Sequence, residues 1–228
     1  MTTEGRLYLV PTPIGNLGDM TYRAVDILKS VDLIACEDTR TSGVLFARYG
    51  IETSKTSFHI HNEHGKAARL AGQMASGLRL ALVSDAGTPG ISDPGYLLVR
   101  AAIDAGVPVE CLAGASALVV ALAASGLPSD RFVFEGFLPV KKGRRTRLDA
   151  LVEEVRTILL YESPHRLPRT LRDLGQTLGP DTQACVAREL SKKFEEYARG
   201  TLAELLADFE SRPKVKGEIV LVVAGKNR

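Results

Sequence analysis

Apolar residues in this chain fall mostly into short continuous runs of strand length, separated by segments in which they recur every three or four positions. In the first half the runs are 6–10, 32–36, 56–60, 78–84 and 107–112. Continuous rather than alternating runs suit strands covered by helices on both faces. Segments 22–31, 63–76 and 94–105 carry the helical period. In the second of these, Ala67, Leu70, Ala71 and Met74 form the one-sided stripe of a surface helix. Asp93-Pro94 offers an N-cap followed by proline at the first helical position, which predicts that the third helix starts there. The alternation predicts a βα-repeating domain on a mainly parallel sheet.

The second half has a different rhythm. Leu112-Ala-Gly-Ala-Ser-Ala117 leads from the last of those strands into a helix of small residues. Strands are then predicted at 131–135, 157–161, 183–187 and 218–223, and helices at 144–155, 165–174 and 201–211. At 228 residues the chain can form two domains of about a hundred residues each. The boundary is placed at Gly114, giving domains 1–113 and 114–228.

Two loops carry the chemical signal. The run ending in Leu82-Val83 stops at Ser84-Asp-Ala-Gly-Thr-Pro-Gly-Ile-Ser-Asp-Pro-Gly95, rich in backbone and poor in side chains. Such a loop at the carboxyl end of a strand brings amides and carbonyls close to a ligand. Leu7-Tyr-Leu-Val10 runs into a similar loop, Pro11-Thr-Pro-Ile-Gly-Asn-Leu-Gly-Asp19. Neither has the G-x-G-x-x-G spacing or ends in Gly-Lys-Ser/Thr, and two prolines before Gly15 remove amides that a pyrophosphate would need. NAD chemistry and nucleotide hydrolysis are thereby disfavoured. Both loops and the Gly114 turn are expected to face a cleft between the halves, the predicted binding site.

Composition narrows the setting. Hydrophobic content of 45% and charged content of 25% are those of an ordinary globular protein. The longest apolar stretch, 115–124, is about half of what a bilayer requires, so no membrane partner is expected. Met1-Thr-Thr-Glu-Gly5 has neither a basic nor an apolar leader region. Cys36, Cys111 and Cys185 are odd in number, with no C-x-x-C spacing. Reduced, buried thiols and a cytoplasmic location follow as expectations.

Net charge is only +2, but its distribution is uneven: Lys141-Lys-Gly-Arg-Arg-Thr-Arg147 holds five cations in seven positions. They open a predicted helix, the end where the helix dipole disfavours cations, which points to phosphate binding at Lys141, Lys142, Arg144 and Arg145. Arg166, Arg169 and Arg172 would extend that patch along the next helix. Phe58-His-Ile-His-Asn-Glu-His64 alternates like a strand end, and no cysteine or aspartate completes a metal set, so no metal is predicted. His61 and Asn62 are read as substrate contacts or loop braces, and His64 as solvated.

Five segments occur together in order: Pro11-Thr-Pro-Ile-Gly-Asn-Leu-Gly-Asp19, Glu37-Asp-Thr-Arg40, His61-Asn-Glu63, Ser84-Asp-Ala-Gly-Thr-Pro-Gly90 and Tyr161-Glu-Ser-Pro-His-Arg166. This set closely resembles the cytidine 2′-O-methyltransferases of small-subunit ribosomal RNA within the tetrapyrrole-methylase superfamily, over roughly residues 6 to 225. The resemblance implies a two-domain α/β fold of the class III methyltransferases. Its N-terminal sheet would be mainly parallel and its C-terminal sheet mixed, with S-adenosylmethionine held in the interdomain cleft. It implies a homodimer, and ribosomal RNA or the small subunit as partner, with no role for DNA. The site it implies is the ribose of a decoding-centre cytidine, position 1402 in 16S numbering. It assigns the cofactor to Pro13, Gly15, Asp85, Ala86, Gly87, Pro89, Ile91, Ser116, Ala117, Glu162, Gly217 and Glu218. The chain departs from the family where Pro-Gly-Pro is common: here Ala113-Gly-Ala115 stands, a less rigid turn. Relatives also often continue into a C-terminal helical extension, whereas this sequence stops at Arg228. If that extension helps hold RNA, either this protein manages with less or the sequence is shortened.

Methyl transfer to a ribose hydroxyl needs alignment and a group to take the proton. Candidates are the carboxylates of Glu37, Asp38 and Asp85, with His61 and Glu63 behind them; N-capping is an equal reading for Asp38. Arg40, His61 and Asn62 join the basic run as candidate RNA contacts. Aromatic residues are few and tryptophan is absent, so RNA backbone and shape would dominate recognition. Two other functions compete: a methyltransferase for a tetrapyrrole or other small metabolite, and a non-catalytic RNA-binding assembly factor.

Overall fold

A computed structural model describes residues 4–226. The chain divides into two compact units between Ser116 and Ala117.

The first unit is a parallel five-stranded sheet with the order β3-β2-β4-β1-β5. Its strands are β1 (Arg6–Leu9), β2 (Leu33–Cys36), β3 (Lys55–Ser57), β4 (Arg79–Val83) and β5 (Val109–Cys111). The helices are α1 (Tyr22–Ser30), α2 (Thr39–Tyr49), α3 (Glu63–Ala75) and α4 (Tyr96–Asp104). α1 and α2 bury Ala24, Leu28, Leu45 and Phe46 against one face of the sheet. α3 and α4 bury Leu70, Met74, Leu98 and Ala102 against the other. Covering both faces explains the unbroken apolar strands. The chain leaves β1 toward β2 on one side and β4 toward β5 on the other, so a crevice opens at the carboxyl ends of the neighbouring strands β1 and β4.

Four expectations for this unit are corrected. α2 was absent from the helical periodicity, because Thr41, Ser42 and Gly43 dilute its apolar face. α4 starts at Tyr96 rather than at Asp93-Pro94: its cap is Gly95, at φ +153°, where a Cβ would press on Gly90 and Leu82 at 3.1 Å. β3 ends at Ser57 because the Asn62 side chain accepts the His59 N–H at 3.0 Å and turns the chain. Cys111 is exposed because β5 is an edge strand, whereas Cys36 and Cys185 are buried thiols.

The second unit is a mixed five-stranded sheet, β6-β7-β10-β8-β9. These strands are β6 (Phe132–Phe137), β7 (Thr157–Glu162), β8 (Gln183–Arg188), β9 (Glu196–Thr201) and β10 (Ile219–Val223). Only β6 and β7 run parallel; the other pairs are antiparallel. Helices α6 (Arg144–Leu151), α7 (Leu167–Leu178) and α8 (Leu202–Ser211) cover one face with Leu148, Leu151, Leu167, Leu171, Leu174, Leu205 and Phe209. α5 (Ala117–Ser125) packs on β10, β8 and β9, and Arg199 of β9 donates to the carbonyls of Ala124 and Ser125 at its C-terminus. β9 was not expected: as a polar edge strand it carries no apolar run. The turn 113–116 belongs to the first unit because Thr88 donates to the Ala115 carbonyl and Gly114 lies on Pro11. Among the described residues no helix is long and apolar enough to cross a membrane.

Candidate functional site

The loops after β1, β4 and β5 are tied into one surface. Thr12 and Gly87 exchange both backbone hydrogen bonds at 2.9 Å, and the Thr12 hydroxyl donates to the Ser84 carbonyl at 3.1 Å. The Thr88 hydroxyl donates to the Ala115 carbonyl at 3.0 Å, joining the third loop. Gly87 has φ +78° and Gly90 φ +84°, and open space lies where a Cβ of Gly90 would be. Ser92 is held at φ +65°, a strained position for a residue with a side chain. Pro13, Gly15, Asp85, Ala86, Gly87, Pro89, Ile91 and Ser116 all lie on this surface. Gly87 and Pro89 are buried, while Gly15, Asp85, Ala86 and Ile91 are exposed.

A cleft of about 390 Å³ opens beside it, lined by Thr12, Pro13, Leu17, Thr41, Val44, Leu45 and Asp85. Leu17 and the α2 residues were not singled out from sequence, because α2 itself was not. Among the described residues no cation lines the cleft. Its single charged wall is acidic, which suits a cationic, phosphate-free ligand.

The acidic residues form a chain of contacts. The Glu37 carboxylate accepts the Asp85 N–H at 3.3 Å, and the Asp85 carboxylate accepts the Asp38 N–H at 3.1 Å. Asp38 caps α2, accepting the Arg40 N–H at 2.8 Å and pairing with its guanidinium at 2.7 Å. Hydrogen bonding to Arg40 holds the Asp38 carboxyl down at about 2, which makes it a poor proton acceptor. Asp38 therefore caps α2, and the Arg40 side chain paired with it stays exposed. Burial pushes the Glu37 and Asp85 carboxyls up, and neighbouring carboxylates add to it.

Asp93 completes this cluster and was misread as a helix cap. The available signal was the repeated Ser-Asp pair at 84–85 and 92–93. Burial first, then the Glu37 charge, push its carboxyl up to about 6. Unfolded aspartate titrates near 3.9, so the folded chain holds this proton more tightly. Its stabilising contribution is complete below about pH 4 and fades as pH rises through about 6. Solvent screening at a half-buried group reduces the effect to about 1 kcal/mol. Asp93→Asn is expected to be about 1 kcal/mol more stable than the native chain at pH 8 and no more stable at pH 4. Urea unfolding across that range checks this, and a gap independent of pH would contradict it.

Asn62 braces rather than reaches outward: besides the His59 N–H it lies 3.0 Å from the His59 ring nitrogen. His61 is exposed beside it.

In the second unit, three residues depart from their expected roles. The Glu162 carboxylate is buried, accepting the Thr170 hydroxyl at 2.5 Å and the Ser163 N–H at 2.7 Å, with Arg166 at 3.3 Å. Buried and bonded within the unit on both oxygens, its side chain acts as a brace. Arg144 is also buried, paired with Asp173 at 2.7 Å and donating to Thr170 at 2.9 Å, which removes it from the phosphate patch. Its cost at a helix start is offset by Asp173, the partner that the dipole argument lacked. Arg172 is half-exposed and pairs with Glu210, so its charge is already engaged. Lys141, Lys142 and Arg145 remain exposed, Arg145 alongside Asp149 at 2.8 Å. Gly217 has φ +98°, and Glu218, just before β10, pairs with Lys192 at 2.8 Å.

Residues 6–206 match the Tetrapyrrole (Corrin/Porphyrin) Methylases. The chain belongs to the tetrapyrrole methylase family. Within it, this methylase is 54% identical over 223 residues to the Ribosomal RNA small subunit methyltransferase I of Synechocystis sp., covering 97% of this chain and 79% of that one. The protein of the same name from Escherichia coli O157:H7 is 50% identical over 225 residues, covering 98% and 79%. A solved uroporphyrin-III C-methyltransferase of Thermus thermophilus, complexed with S-adenyl homocysteine, shares the methylase fold with a TM-score of 0.64 at 21% identity, covering 96% and 97%.

Proposed function

We propose that this methylase transfers a methyl group from S-adenosylmethionine to the ribose 2′-oxygen of a cytidine in small-subunit ribosomal RNA. The observation that carries the reading is identity of about half over nearly the whole chain with proteins named Ribosomal RNA small subunit methyltransferase I. The Thermus thermophilus methylase bound to S-adenyl homocysteine supports the cofactor.

The residues of the first unit fit that cofactor. Gly87, Gly90 and Ala86 offer backbone at close range, and the cleft carries the Asp85 carboxylate, while the nearby Arg40 is paired with Asp38. Pro13, Gly15, Asp85, Ala86, Gly87, Pro89, Ile91 and Ser116 would hold it, and when bound it supplies a methyl group on a positively charged sulfur. The chain's own task is then to orient the ribose and accept its proton. A ribose hydroxyl is a weak acid, so a nearby acceptor with an upward-shifted affinity for protons lowers the barrier. Asp85 is exposed at the cleft and is the acceptor of choice. Glu37 holds the Asp85 backbone, and the Asp38 N–H holds its carboxylate, fixing the direction in which it faces.

Small subunits from cells lacking the modification, incubated with this protein and methyl-labelled S-adenosylmethionine, are expected to acquire label in the RNA. Cofactor binding without label in RNA would favour a small-molecule methyltransferase. No cofactor binding by folded protein would favour an assembly factor.

A further inference from the structure

What the side chains of the Tyr161–Arg166 motif hold is a loop of the second unit. Three consecutive carbonyls after β6 each accept a hydrogen bond from a different arginine. Arg166 donates to Leu138, Arg144 to Pro139 at 3.3 Å and Arg169 to Val140 at 3.3 Å. Behind them lies a buried network. Glu162 bonds Thr170 and faces Arg166, Thr170 accepts from Arg144, and Asp173 pairs with Arg144 and lies 3.7 Å from Arg169. The side chains of Glu162 and Arg144 are 1% and 5% exposed.

Burying charge in this way contributes little net stability, since a well-packed apolar core of the same volume does as well. What such a network does supply is a defined geometry. Here the geometry belongs to residues 138–140, and the next two residues are Lys141 and Lys142, both exposed just ahead of the Gly143 cap of α6. A loop fixed before binding spares the ordering cost that a mobile lysine pair would incur on meeting a polyanion.

We propose that Arg144, Arg166 and Arg169 are positioning residues that hold residues 138–140 so that Lys141 and Lys142 stand ready as a preformed site for RNA backbone phosphates. This rests on the RNA reading above. Arg144 and Arg166 act from inside the protein. Arg169 is half-exposed, so its hold on the loop can be released without threatening the core.

The test is a double-mutant cycle read by the salt dependence of binding to purified small subunits. K141A/K142A is expected to reduce the slope of log affinity against log salt by about two, one unit per lost phosphate contact. R169Q and, separately, R166K are expected to weaken binding several-fold and to flatten the slope toward that of K141A/K142A. In the K141A/K142A background either change is expected to add little, since the loop they hold no longer carries the contacts. S-adenosylmethionine affinity should stay unchanged throughout. Full additivity would overturn the proposal, because the arginines would then act on RNA directly or only through stability. An unaltered slope in K141A/K142A would also overturn it. If the native chain fails to bind small subunits at all, the RNA reading itself falls.

Discussion

A Gly114→Val variant is expected to bind S-adenosylmethionine about a hundredfold more weakly than the native chain while remaining folded. A Cβ at Gly114 would lie 2.6 Å from the Pro11 Cβ and 2.9 Å from its Cγ, separations that no real side chain tolerates. Gly114 is exposed, so the turn can yield outward at a cost of about 1–3 kcal/mol instead of unfolding the unit. The displacement is transmitted, because the neighbouring Ala115 carbonyl accepts the Thr88 hydroxyl. Thr88 adjoins Gly87, which is bonded to Thr12 in the first loop. A shift of this one turn therefore disturbs all three loops proposed to hold the cofactor. Calorimetry with S-adenosylmethionine measures the effect, and circular dichroism checks the fold. An unchanged dissociation constant would show that the cofactor is held elsewhere.

Glu162→Ala is expected to cause the largest loss of stability, about 3–5 kcal/mol, the usual cost of removing one partner from a buried charged set. The deletion strips the partner from Arg166 and from the Thr170 hydroxyl, both facing the Glu162 carboxylate within the second unit. Glu162→Gln should cost less, about 1–3 kcal/mol, because it keeps the shape and one acceptor oxygen while the Ser163 N–H and Thr170 hydroxyl need two. Urea unfolding gives both values. A loss below about 1 kcal/mol for the alanine variant would mean that the network does not hold as drawn, since surface pairs are worth that little.

The central strands β2 and β4 were legible because they are apolar runs, as both faces of the first sheet are covered. What remained hidden had physical reasons. α2 begins at a capping aspartate, yet its first turn is too polar to register a period, and its absence concealed the Leu17–Val44 wall of the cleft. β9 is an edge strand with polar residues, so no apolar run marked it. The loops were readable as ligand surfaces from glycine and proline alone. Which residues within the motifs are structural was not, because that depends on partners far along the chain: Asp173 for Arg144, Thr170 for Glu162, Asp85 for Asp38. Asp93 illustrates the same limit. Asp-Pro reads locally as a helix start, while the fold draws it toward Glu37 and Ser84.

The central claim is the oxygen that receives the methyl group, and alkaline hydrolysis of the labelled RNA reads it directly. Alkali cleaves RNA through the free ribose 2′-hydroxyl. A 2′-O-methyl group blocks that cleavage and leaves the label in an alkali-resistant dinucleotide beginning with cytidine. That product is the expected result. Label released as a mononucleotide would place the methyl on a base and contradict the account.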